Sequence, residues 1–248
     1  MIVRHRLVVI STTAMLLLAC NAPGGVASVE QAQSLGLAPT STVTSTAVIV
    51  TLPPLPSSTP TLTLTPTLTP TPYGCEAPPD DITRVKVKED MILNQRTVWM
   101  LQHAQELYGG TYDYMKAITQ GSYSPGVSAS FGTHDGGGAV DLSVRDPNDW
   151  NHIVYEEMDA IILSLRRAGF AAWLREQGDL YVNSPIHIHA IAIGDPELSE
   201  AAREQLTGPS GYFLGFNGLP VDPPIPDNHG GPVVCPWMIE MGYPDLQG

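Results

Sequence analysis

The stretch STPTLTLTPTLTPTP, residues 58–72, decides how much of this chain can fold. Proline removes a backbone donor and recurs too often for ladder hydrogen bonding, which argues against a strand-rich repeat. The segment carries no charge, and from Asn21 to about Tyr73 there is neither a helical nor a strand period. Such a composition cannot bury a core and favours extended, polyproline-type backbone, so residues 21–73 read as a Thr/Pro-rich disordered stalk. Folding is therefore confined to residues 74–248, about 170 residues and the size of an ordinary single domain.

Residues 1–20, MIVRHRLVVISTTAMLLLAC, place Arg4 and Arg6 before an apolar run that is short for a membrane span. This is the pattern of an export signal. Leu17, Leu18 and Ala19 before Cys20 resemble a bacterial lipobox, which implies cleavage ahead of Cys20 and acylation of its sulfur. The alternatives are an ordinary signal peptide or an uncleaved anchor. The lipid reading holds the mature chain to the membrane of the cell envelope, on the extracytoplasmic side, with no transmembrane helix.

The chain has three cysteines. With Cys20 assigned to lipid, Cys75 and Cys235 remain as one possible pair in an oxidising compartment, with two free thiols as the alternative. A disulfide there would close a loop of about 160 residues and stabilise the domain by a few kcal/mol. The formal net charge of −13 offers no basic stripe to neutralise phosphate, which excludes a nucleic-acid partner. A monomer is expected.

Periodicity supplies the elements. Met91, Ile92, Val98, Leu101 and Leu107 recur at helical intervals over 89–109, ahead of Gly109 and Gly110. Residues 113–123 read as a strand, and 138–144 as another with Val140, Leu142 and Val144 toward the core. Asp146 to Asp149 reads as a cap cluster for a helix carrying Ile153, Met158, Ile161, Ile162 and Leu165, stopped by Gly169. Residues 171–176 and 187–194 are further strands, and 198–208 is a short helix opened by Ser199. Beyond Gly208 the Gly, Pro and Asn content predicts a tail wrapped on the domain. The fold class expected is α+β, a mainly antiparallel sheet with flanking helices.

Two of these strands carry metal-binding residue types. Residues two apart in a strand share a face, so His187 and His189 project together, and Asp141 projects opposite to Val140 and Leu142. His134 precedes Gly136, Gly137 and Gly138, whose freedom lets the backbone bring the imidazole back toward Asp141. Imidazole nitrogen and carboxylate oxygen suit zinc, and a catalytic site keeps three protein ligands and one open position. His134, Asp141 and one or both of His187 and His189 supply such a set. Trp99 and the helix aromatics are expected in the core, with groove lining as the alternative. Trp173 and Tyr181 either wall a cleft or pack between strands. Among Arg166, Arg167 and Arg175, one can clamp a substrate carboxylate, the first two being expected at a solvated helix end.

HDGGGAVD fits the pattern His-x-x-Gly-x-Ala-x-Asp through His134, Gly137, Ala139 and Asp141, and HIH follows at 187–189. Together these resemble the zinc peptidases grouped as D-alanyl-D-alanine metallopeptidases, lysostaphin-type enzymes and hedgehog-like domains. The likeness spans roughly residues 90–200 and is nearest to D-Ala-D-Ala carboxypeptidases and dipeptidases. It implies one zinc ion held by His134, Asp141 and His189, with His187 beside the metal water as base or transition-state donor. It also implies a peptidoglycan stem peptide, or a related short peptide, as substrate. The chain departs from the pattern twice. Gly132 stands where the family usually has Ser, with Thr133 or Ser130 nearby. Ile186 stands three before His189, and Ser184 three before His187, where many carboxypeptidases of the group place Glu or Asp. Glu176 and Asp179 are the next acids upstream, and the base role falls on His187 or on a residue the sequence does not identify. A binding module that keeps zinc without hydrolysis, and a metal-free adhesion domain, are the competing expectations.

Overall fold

The computed structural model describes residues 74–246, all within one compact unit. The export signal, Cys20 and the stalk expected over residues 1–73 lie outside the described residues. No helix among the described residues is long and apolar enough to cross a membrane.

The chain is α+β, with two antiparallel sheets. Strands β1 (Arg84–Lys88) and β2 (Met91–Asn94) form a hairpin. Helix α1 (Gln95–Tyr108) follows, then the single-turn α2 (Tyr114–Ala117) and the short β3 (Ile118–Gln120). β4 (Ala139–Ser143), α3 (Met158–Arg167), β5 (Phe170–Arg175), β6 (His187–Ala192) and α4 (Glu200–Thr207) complete the frame, with α5 (Pro236–Glu240) near the end. The main sheet has the order β3-β4-β6-β5, so β4 and β6 are central and paired.

Both faces of that sheet are covered. Val140, Leu142, Phe170, Ala172, Ile188, Ala190 and Ala192 join Met100, Leu101, Ile161, Ile162 and Leu165 of α1 and α3 in one core. The alternate residues Ala171, Trp173 and Ile191 enter a second core with Ala202 and Leu206 of α4 and with Tyr212, Phe213 and Trp237 of the tail. Period-two alternation therefore decides which side each strand residue serves. By the same alternation His187, His189 and Asp141 fall on the second side.

Several expected elements take different bounds. The helix expected from 89 starts only at Gln95, because the Asn94 side chain accepts from Thr97 N at 2.9 Å and caps it there. Glu89 lies in the β1–β2 turn at φ 48, and Asp90 pairs with Lys86 at 2.9 Å. The strand expected over 113–123 is divided, since Asp113 accepts from Lys116 N and nucleates α2 before β3 begins. Asp146 and Asp149 close local turns on Asn148 N and Asn151 N, so α3 begins only at Met158, after a 3-10 turn over Tyr155–Glu157.

The tail beyond Gly208 does wrap the domain. Arg166, expected in solvent, is 1% exposed; it pairs with Asp227 and donates to the carbonyls of Ala172, His229 and Gly231. Cys75 and Cys235 form the disulfide, 160 residues apart. Trp99 packs against the first core and stacks on His103.

Candidate metal centre

Antiparallel pairing of β4 with β6 sets Asp141 directly opposite His189. Such partners bring side chains on one face to about 5 Å. His189 Nδ1 lies 2.7 Å from Asp141 Oδ1, although 48 residues separate them in sequence. His134 arrives from the loop before β4, its Nε2 3.2 Å from the same oxygen. His187, one pleat along β6, points Nε2 at Asp141 Oδ2 from 3.8 Å. Three imidazoles thus surround one carboxylate, and the ligand atoms of His134, Asp141 and His189 all lie within 4.8 Å of one another.

The loop carrying His134 is shaped by close approach more than by turning. A Cβ on Gly136 would lie 2.2 Å from Glu197 O and 2.6 Å from Ser199 N, and one on Gly137 would lie 3.1 Å from Asp195 Oδ1. Only Gly138 of the three needs the left-handed region, at φ 75. The β6–α4 connection that these glycines touch is fixed in turn: Asp195 accepts from Asn94 at 2.6 Å, and Glu197 accepts from Tyr123 and Arg84.

Each histidine has an orienting contact. His134 Nδ1 is 2.9 Å from the Gly121 carbonyl, and His187 Nδ1 is 2.8 Å from the Pro185 carbonyl. A carbonyl only accepts, so both Nδ1 atoms carry hydrogen and the neutral rings present their lone pairs at Nε2. The indole of Trp173 lies parallel to His189, 6.1 Å away and inclined by 11°. Trp173 is 1% exposed and donates to Phe216 O, so it packs behind the site, while Tyr181 is half-exposed at its edge.

The charges follow from this packing. Burial disfavours a cationic His134, yet the Asp141 charge and hydrogen bond, with the Gly121 carbonyl, raise its pKa. Burial pushes His189 down to about 4 against the pull of Asp141, leaving it neutral. Asp141 is held well below the usual carboxylate range, burial being outweighed by His134 and His189.

Do these groups fit a metal? His134 meets an acceptor at both nitrogens, so something positive belongs between its Nε2 and Asp141: a proton or a cation. His189 Nε2 is buried without any hydrogen-bond partner, so only its Nδ1 is engaged, and toward the same point. A tetrahedral ion with bonds of about 2.1 Å sets its ligand atoms about 3.4 Å apart, and Asp141 Oδ1 stands 3.2 Å from His134 Nε2 and 2.7 Å from His189 Nδ1, with all three atoms within 4.8 Å of one another. The His134–Asp141–His189 cluster can therefore bind a metal ion.

The remaining expectations place as follows. A cavity of about 20 Å³ lies at the centre, with His134, Asp141, Arg175, His187, His189 and Leu180 among its walls. Among the described residues Asp141 is the only carboxylate lining it. Glu176 and Asp179 line a different cavity, beside Asn217 and Asn228. Arg175 does reach the centre, but it is 2% exposed and donates to Asn217 O at 2.6 Å and Gln205 Oε1 at 3.4 Å. Burial lowers its pKa to about 10, resisted by Asp141. The Gly121 and Pro185 carbonyls and the Trp173 backing carry no signal in a linear pattern of His and Asp. Comparison with protein-family models, with curated proteins and with solved structures found no match to this chain.

Proposed function

We propose that this chain is a zinc peptidase of the D-Ala-D-Ala metallopeptidase type, sharing the architecture of the hedgehog-like group. It is exported, anchored by lipid at Cys20, and acts on peptidoglycan stem peptides in the cell envelope. The observation that carries the reading is His134, whose two nitrogens both face acceptors, beside a buried and neutral His189. His134, Asp141 and His189 would hold the ion.

When bound, zinc acidifies water and polarises a carbonyl. The protein's own groups do the rest. The Gly121 carbonyl and the Trp173 indole keep the two ligand imidazoles in orientation. His187 keeps hydrogen on Nδ1 through Pro185 O, so its Nε2 is free to take a proton from the attacking water and return it to the departing amine. Arg175 adds fixed positive charge beside the centre, favouring a developing oxyanion.

The test is hydrolysis of stem peptides by the zinc-loaded protein, abolished by a chelator and restored by zinc. His187→Ala should retain zinc while kcat falls about 10²- to 10⁴-fold. Loss of zinc from that variant would make His187 a ligand and remove it as the base.

One observation favours a second reading. The only carboxylate in the cavity is itself a ligand, so the domain can instead be a zinc-holding binding module without turnover. Stoichiometric zinc with peptide binding but no hydrolysis of any envelope peptide would select it.

A further inference from the structure

The small cavity at the candidate metal centre shares walls with two larger cavities, and the three together make a groove. On one side the small cavity shares Phe131, Thr133 and Gln205 with a cavity of about 290 Å³. On the other it shares Ala129, Leu180 and His187 with a cavity of about 240 Å³. Phe131 stands at the first junction, 57% exposed and at φ 50. A bulky residue in that region is strained, and such strain concentrates where ligands are clamped.

The two ends differ in charge. Among the described residues Glu204 is the only charged one lining the first cavity. Among the described residues Arg145 is the only arginine or lysine lining the second, which shares Asp141 with the centre and where Trp150 and Tyr181 stand exposed. Arg145 donates to Trp150 O at 2.9 Å, which fixes the guanidinium beside that indole.

An enzyme that removes a C-terminal residue must meet the α-carboxylate within about one residue, roughly 3.5 Å, of the scissile bond. The cation at this centre is Arg175, and its guanidinium is engaged with Asn217 and Gln205. Two larger cavities adjoin the centre through different lining residues. We propose that the groove binds an extended peptide that continues past the metal centre on both sides, acidic side chains toward Arg145 and cationic ones toward Glu204, with an internal bond over the centre. The binding mode rests on the groove alone; internal cleavage rests also on the hydrolase reading, and it departs from the carboxypeptidase mode that the sequence resemblance implies.

The test compares two probes on the zinc-loaded full chain by titration calorimetry and mass spectrometry. One is acetyl-L-Ala-D-Glu-L-Lys-D-Ala-D-Ala with a free carboxylate; the other is the same peptide extended by Gly-Gly-amide. The extended amide should bind at least as tightly as the free acid, and its products should include a fragment ending in Gly-Gly-amide. Arg145→Glu and Glu204→Lys, both outside the buried core, should each weaken it about fivefold. Binding of the extended amide about tenfold weaker than the free acid, or hydrolysis of the free acid alone, overturns the proposal while leaving the hydrolase reading intact. Tight binding of the extended amide, weakened by both reversals but with no hydrolysis of either probe, supports the groove and sinks the hydrolase reading.

Discussion

Asp141 is the residue on which the site converges. It faces His189 across the β4–β6 pairing, His134 from the loop and His187 from the next pleat. Losing its charge would remove a candidate oxygen ligand and the partner that raises the His134 pKa. Changes to groups that merely orient ligands cost about 10- to 100-fold in metal affinity, so Asp141→Asn should cost at least about 100-fold. A chelator-competition titration measures this, and an unchanged affinity would place the ion elsewhere. These candidate ligands were legible in the sequence because part of their spacing is local, with seven positions from His134 to Asp141, and because His189 sits in the short HIH run, although 48 residues part it from Asp141. Arg166 was not legible, since the partner that draws its charge inward, Asp227, lies 61 residues on, in a tail without a period of its own.

Among elements, the glycine run before β4 and the β6–α4 connection act as one piece. A Cβ at Gly136 collides with backbone atoms of Glu197 and Ser199, which cannot step aside as a side-chain end can. Gly136→Ala should therefore destabilise the domain by about 1–3 kcal/mol and displace His134 enough to lower zinc occupancy. Urea unfolding and metal content check this together; a variant as stable as the parent and fully loaded would show that the contact is unimportant. The sequence displays the three glycines and suggests a turn, but it cannot show that all three face another loop. Element bounds were harder to read where capping competes with periodicity. Asn94 stops α1 from extending back to the acids at 89 and 90, and Asp113 starts a helical turn inside an apparent strand. β1 itself, Arg84-Val85-Lys86-Val87-Lys88, does carry period-two alternation and can be read as a strand.

At the scale of the whole molecule, the described domain is closed by its tail. The disulfide joins Cys75 to Cys235, and Arg166, Trp173 and Arg175 each hold backbone carbonyls of the segment after Gly208. Tyr212 lies within that closure, and burial raises its phenol to about 12; burial and the Glu197 contact raise Tyr123 to about 12. Below pH 10 both phenols are neutral in either state, so their contribution is fully present. As pH climbs from about 10 to 12, the unfolded chain ionises while the folded chain cannot, and stability falls, by about 2–3 kcal/mol for Tyr212. Urea unfolding across that window should show the decline, and Tyr212→Phe should lessen it; an identical decline in the variant would assign it to other groups. The most direct measurement of the central claim is X-ray absorption at the zinc edge on the purified protein. One zinc per chain with two imidazole nitrogens and one carboxylate oxygen at about 2.0–2.2 Å is predicted, lost in Asp141→Asn. Absence of zinc after reconstitution, or a coordination sphere that Asp141→Asn leaves unchanged, would contradict the account.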